Sequence, residues 1–141
     1  MGLDVGHVRI GVATSDLLGL TARPLEVIKR DYRKTEFERI KSILKQYEIK
    51  KIVVGLPLNM DGTEGEQSEK VREFADILKE NNPEIEIVFW DERLTSWASE
   101  EFLISAGVKR EKRKKHIDKI AATFILQGYL DSNPDLSKQL L

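Results

Sequence analysis

The 141 residues, 40% hydrophobic and 33% charged, suffice for one compact domain with a real core and not for two. The absence of cysteine excludes a disulfide framework and a thiolate metal site, two histidines leave little for zinc, and the cytosol is the default compartment. A formal net charge of −1 argues against a polyanionic partner until the charge is located: residues 109–116, KREKRKKH, hold six Lys or Arg against one Glu, leaving −6 for the remainder.

In chain order, residues 2–5 and 8–14 (VRIGVAT) are apolar β-type runs divided by Gly6-His7, which predicts a hairpin with His7 in its turn. LEVI at 25–28, after Pro24, predicts a third strand. Phe37, Ile40, Ile43, Leu44 and Tyr47 recur at helical spacing from Thr35 to Tyr47. KIVVG at 51–55 reads as a short buried strand, and its exit GLPLNMDGTEGE as a loop. Val71, Phe74, Ala75 and Leu78 mark a second helix, closed by Asn81-Asn82-Pro83. IEIVFW at 85–90 predicts the fifth strand, followed by a helix from about Thr95 to Ser105 that stops at Gly107. A last helix is expected from about Lys115 to Leu130, with a tail from Asn133-Pro134. This order predicts an α/β fold, a mixed five-stranded sheet with helices on both faces. No apolar run approaches the roughly 18 residues of a membrane span and the N-terminus lacks a basic-then-apolar signal, so a soluble intracellular protein is expected.

Three acidic residues fall where such a fold delivers side chains to one edge. Asp4 ends the first strand and Glu92 follows the last, and chemistry in open α/β sheets gathers at the carboxyl ends of parallel strands. Asp91 is adjacent to Glu92, but neighbouring strand residues face opposite ways, so one of the pair reaches the centre. Asp118 comes from the last helix. With Ile117 at 0°, steps of about 100° put Asp118 at roughly 100°, between Ile125 at about 80° and Ala122 at about 140°, so a carboxylate interrupts the apolar stripe. Separately, the three have bland readings as turn former, helix-start acid and ion-pair partner; their joint placement does not. Carboxylate oxygens are the ligands that Mg²⁺ and Mn²⁺ prefer, and two such ions about 3.5–4 Å apart can activate water and stabilise a leaving oxygen at a phosphodiester. The basic block beside Asp118, with Arg113, Lys114 and Lys115, would hold phosphates against an acidic centre that otherwise repels them. Arg9, Arg23 and Arg93 are candidate phosphate clamps, and Asn59 is the loop side chain expected to meet substrate. The loop glycines, Gly55 and Gly62 among them, are expected to bring backbone N–H groups near a phosphate. Trp90 reads as core, and Trp97 as core or a stacking surface.

GLDVGHVRIGVATSD, TARPLEVI, VVGLPLNMDGTEGEQSEKVREFA, DERLTS and KKHIDKIAATFILQGYLD together resemble the bacterial YqgF (RuvX) family, over essentially the whole chain. The resemblance implies a single ribonuclease H-like domain over residues 1–141. It also implies a metal-dependent nuclease whose acidic triad falls on Asp4, Glu92 and Asp118. Members are described both as Holliday junction resolvases and as nucleases that mature the 5′ end of the small-subunit (16S) ribosomal RNA precursor. Only Met1, Gly2 and Leu3 precede Asp4, fewer than members usually carry, so a short first strand is expected. The reading is therefore a cytoplasmic Mg²⁺- or Mn²⁺-dependent hydrolase of precursor rRNA, meeting pre-ribosomal particles as a monomer or weak homodimer. The alternatives are a resolvase of branched DNA, and a non-catalytic nucleic-acid-binding module, which would gain nothing from carboxylates facing phosphates.

Overall fold

In a computed structural model, residues 1–31, 33–93, 104–107 and 109–132 are described, the side chains of 110–119 excepted. Strands β1 (Gly2–Val5), β2 (Arg9–Ser15), β3 (Ala22–Lys29), β4 (Lys51–Leu56) and β5 (Glu86–Asp91) form one sheet in the order β3-β2-β1-β4-β5. The first three strands are an antiparallel meander, and β1, β4 and β5 run parallel. The expected mixed sheet is thus present. β1 is short, but it lies in the middle of the sheet and pairs with β2 on one side and β4 on the other.

Helices α1 (Thr35–Gln46) and α2 (Glu66–Asn81) cover one face, and α3 (Arg110–Ser132) covers the other. Period-two alternation in the strands divides the core accordingly. Leu3, Val5, Val54 and Leu56 join Phe37, Ile40, Val71 and Phe74 beneath α1 and α2, where the rings of Phe37 and Phe74 stack with centroids 4.8 Å apart. Ala13, Ala22 and Val53 join Ala122, Ile125, Leu126 and Tyr129 beneath α3. Gly2 lets α3 approach β1, because a β-carbon there would lie 2.8 Å from the Ala122 carbonyl oxygen.

Several boundaries shift by a residue from expectation, and the starts of β3 and α3 shift by more. β3 begins at Ala22, ahead of Pro24, which is tolerated because β3 is an edge strand that needs no N–H on its outer side and because the register shifts at Val12/Ala13. α2 starts at Glu66, a turn and more before its first core residue, Val71. α3 starts at Arg110 and not near Lys115, since Lys, Arg and Glu are good helix formers and nothing between 110 and 115 breaks the helix. The helix expected from Thr95 to Ser105 falls on residues 94–103, outside the described residues, apart from Ile104 and Ser105. Gly107, with φ of 77°, donates its N–H to the Ile104 carbonyl, as a stop there requires.

Candidate active site

Asp4 sits at the carboxyl end of β1 with its side chain on the α3 face, opposite to buried Leu3 and Val5. Across the antiparallel ladder its partner is Gly11, and one step beyond the parallel pair Leu3↔Val54 comes Gly55. Both flanks of the carboxylate are therefore without side chains. The turn that follows is closed by the Gly6 N–H donating to the Arg9 carbonyl at 2.9 Å, and a β-carbon at Gly6 would come within 2.7 Å of that oxygen. His7 is exposed in this turn, as expected.

Glu92 leaves β5 on the same face. Val88 and Trp90 pack toward α3, whereas Ile87 and Phe89 pack toward α2, so alternation sends Glu92 to the α3 side and Asp91 to the other. The Glu92 backbone N–H donates to the Leu56 carbonyl at 3.3 Å, which extends the β5 pairing by one residue. Its side chain then reaches back across β4 toward β1. Gly55 makes this reach feasible, because a β-carbon there would overlap both Glu92 Oε2 and Ile125 Cδ1. The carboxyl groups of Glu92 and Asp4 meet within hydrogen-bonding reach. Burial, and after it the charge of Asp4, the hydrogen bond with Asp4 and the charge of Asp91, push the Glu92 carboxyl up to about 8. Asp91, one residue earlier, is held below the usual carboxylate range, chiefly by its hydrogen bonds from the Arg93 guanidinium. Adjacent acids are thus driven in opposite directions by opposite faces of one strand.

Asp118 lies on α3, one turn before Ala121 and Ala122 and two before Ile125, and its side chain is outside the described residues. Among the described residues no cluster of three His, Asp or Glu side chains forms. Arg113, Lys114 and Lys115 occupy the first turns of α3, and their side chains are likewise outside the description.

The remaining candidates divide. Arg9 begins β2 on the Asp4 face at the same sheet edge. Arg23 pairs with Thr14 at the other end of the strands, which removes it from the edge where Asp4 and Glu92 meet. Arg93 turns from Glu92 to chelate Asp91, with its Nη2 2.7 Å from Asp91 Oδ2, and reaches the Met60 carbonyl at 3.5 Å. Asn59 is exposed, but its amide donates to Thr63 Oγ1 at 3.0 Å and braces the 59–63 turn. The N–H of Gly62 also closes that turn, onto the Asn59 carbonyl at 2.8 Å, so the expected glycine phosphate cradle is spent internally there. Trp90 is half-buried and meets Tyr129 edge-on at 6.2 Å, whereas Trp97 is outside the described residues. Sequence reasoning placed Gly55 at the strand end but expected it to offer a backbone N–H to a phosphate, and missed that its lack of a side chain makes room for Glu92. Its signal was present: Gly2, Gly11 and Gly55 all lie on the α3 face of adjacent strands.

A mixed five-stranded sheet in this order, with helices on both faces, is the ribonuclease H-like fold that RuvC shares. Solved structures agree on the fold. Thermus thermophilus RuvC in complex with a Holliday junction substrate aligns with a TM-score of 0.56 at 18% identity, covering 94% of this chain and 93% of its own. The fowlpox virus resolvase bound to Holliday junction DNA gives 0.53 at 15% identity, covering 93% and 95%. The chain belongs to the RuvX (YqgF) family, described as "RuvX: Holliday junction resolvase", which matches residues 1–132. Relatives named "Putative pre-16S rRNA nuclease" are 55% identical in Clostridium tetani, covering 94% of this chain and 95% of theirs, and 53% identical in Clostridioides difficile, covering 93% and 92%.

Proposed function

We propose that the protein is a divalent-cation-dependent nuclease that cleaves the precursor of 16S rRNA near its mature 5′ end, with Asp4, Glu92 and Asp118 as the ligands of Mg²⁺ or Mn²⁺. The observation that carries the reading is the meeting of Asp4 and Glu92 over Gly55, which gathers two acids at one edge at a cost to the apo protein. The donor set fits such an ion: the proposed ligands are all carboxylates, and the described pair is crowded enough to push the Glu92 carboxyl up to about 8, a strain that a bound cation would relieve. When bound, the cation supplies charge neutralisation at the phosphate and the acidity that turns water into a nucleophile. Asp4 and Glu92 would hold it, and the raised Glu92 carboxyl would give up its proton on binding. Asp118, on the α3 turn preceding Ala121 and Ala122, supplies the third carboxylate. Arg9 lies on the right face to take a phosphate, and Arg113, Lys114 and Lys115 give affinity without sequence choice. Arg93 orders the 59–63 turn at the rim, with Asn59 inside that turn.

The relatives named for pre-16S rRNA support the RNA substrate, and the cytoplasm, where precursor rRNA is processed, is the proposed place of action. Resolution of branched DNA is the second reading, favoured by the likeness in fold to RuvC and the fowlpox resolvase. A competition between labelled precursor rRNA and a four-way DNA junction at matched salt and Mg²⁺ or Mn²⁺, with cut sites mapped, separates them. RNA cleavage near the mature 5′ end is expected. Symmetric paired nicks in the junction with the RNA intact would establish the resolvase instead.

A further inference from the structure

Glu36, in the first turn of α1, is a carboxylate that the proposed chemistry does not use, yet only 2% of it is exposed. Its Oε1 accepts from Arg30 Nε at 3.4 Å, and its Oε2 has no partner among the described residues. Burying a charge this deeply with one partner is a poor way to gain stability. What the pair does is visible at the other end of Arg30. Its Nη1 donates to the Gly6 carbonyl at 2.7 Å, and its backbone N–H donates to the Val8 carbonyl at 2.8 Å. The guanidinium lies over the Phe74 ring, 5.3 Å from its centroid, which holds its plane against α2. Both carbonyls that bracket His7 thus end on a single residue following β3, and that residue is anchored to α1 and α2. The turn so held begins two residues after Asp4, and the last ladder pair before it is Val5↔Ile10.

We infer that Arg30, oriented by buried Glu36, is a positioning residue that fixes the Gly6–Val8 turn and through it the carboxylate of Asp4. The inference rests on the proposed nuclease reading, in which Asp4 is a ligand. Guanidinium chemistry is needed because the planar fork points one donor at Glu36 and another at Gly6, whereas a lysine ammonium at the end of a flexible stem is not preset to both. β1, with four residues, has little length of its own with which to hold Asp4 in place if the turn loosens.

Arg30→Met keeps the stem over Phe74 and removes both side-chain donors. Three quantities are measured in it: amide hydrogen exchange at Gly6 to Arg9, Mn²⁺ affinity by calorimetry, and kcat and KM for precursor rRNA. Exchange in the turn should quicken and Mn²⁺ bind more weakly, while kcat falls roughly tenfold or more with KM within about twofold, as a misplaced catalytic group dictates. Glu36→Gln keeps an acceptor for Arg30 Nε and should retain most of kcat, whereas Glu36→Leu should resemble Arg30→Met. Arg39→Met, which breaks an exposed pair with Glu26, should leave all three quantities unchanged. If Arg30→Met does not fold, Arg30→Lys, which keeps the charge without the fork, is read in the same way. Wild-type exchange at Gly6 together with wild-type kcat would overturn the inference. If the wild-type protein cuts no RNA, the nuclease reading fails, and the exchange and Mn²⁺ measurements decide the positioning role alone.

Discussion

At the residue scale the site depends on a side chain that is missing. Gly55 leaves the volume through which Glu92 reaches Asp4, and Ile125 already fills the remaining space. Gly55→Ala should therefore act twice: overpacking against Ile125 costs roughly 1–3 kcal/mol, and displacement of Glu92 lowers cleavage on the order of a hundredfold. Denaturant melts and single-turnover kinetics check the two effects, and a stable, active Gly55→Ala protein would refute the placement of Glu92. The raised Glu92 carboxyl has its own signature. Because the Glu92 carboxyl is pushed up to about 8 from an ordinary 4.5, the folded protein between those values holds a proton that the unfolded chain has released. Stability should thus fall as pH rises through that window, in contrast to an acid held by a salt bridge. Glu92→Gln removes this term. In the presence of a chelator its thermal midpoint should drop less between pH 5 and pH 8 than that of the wild type, and it should lie above the wild type at pH 8 by roughly a few degrees. Equal slopes for the two proteins would show that the Glu92 carboxyl is not raised.

At the scale of elements, the sequence was legible wherever one physical rule acted alone. Alternation in IEIVFWDE fixes which of Asp91 and Glu92 turns toward α3, and helical spacing from Thr35 and from Val71 gives α1 and α2 their buried faces. It was less legible where packing partners decide. Arg23 and Arg9 look alike in sequence, and only the meander puts one at each end of the strands. Asn59 looks like a free loop amide until Thr63 folds back onto it. Gly55 looked like a backbone donor for a phosphate because the strand end and the loop share their glycines, and the approach of α3 at Ile125 is a long-range fact. The start of α3 was placed too late because the run of like charges before Lys115 carries no apolar periodicity to mark it, although each of its residues favours helix. That correction strengthens the case for the basic block: on a helix, Arg113, Lys114 and Lys115 share a rigid frame with Asp118 and do not trail from a loop. Replacing all three with Gln should weaken every nucleic acid alike and flatten the slope of log K against log salt by up to roughly 2–3, at about 0.7–0.9 per phosphate contact. An unchanged slope would make the block an ordinary solvated helix face.

At the scale of the whole molecule, the three elements that carry the acids belong to different parts of the chain and meet only in the folded state. β1 and β5 are separated by β4, and α3 crosses the sheet from the opposite end of the sequence. An ion gripping acids from all three would tie the first, middle and last parts of the chain together, so its binding energy appears as folding energy. With the Glu92 carboxyl pushed up to about 8, a cation held by Asp4 and Glu92 as proposed would have to displace a proton at neutral pH. Millimolar Mn²⁺ should raise the thermal midpoint, by RT ln(1 + [L]/Kd) in stability, or about 2.7 kcal/mol at a hundred times Kd. Binding at pH 7 should also release close to one proton, seen as a dependence of calorimetric enthalpy on the ionisation enthalpy of the buffer. The release should shrink above pH 8, where Glu92 has already lost its proton, and it should vanish in Glu92→Gln. Midpoint and proton count together make the test strict, because a cation adsorbed at scattered surface acids would displace no proton from a buried pair. A midpoint indifferent to Mn²⁺, with no buffer dependence, would mean that Asp4 and Glu92 meet for some reason other than holding a cation.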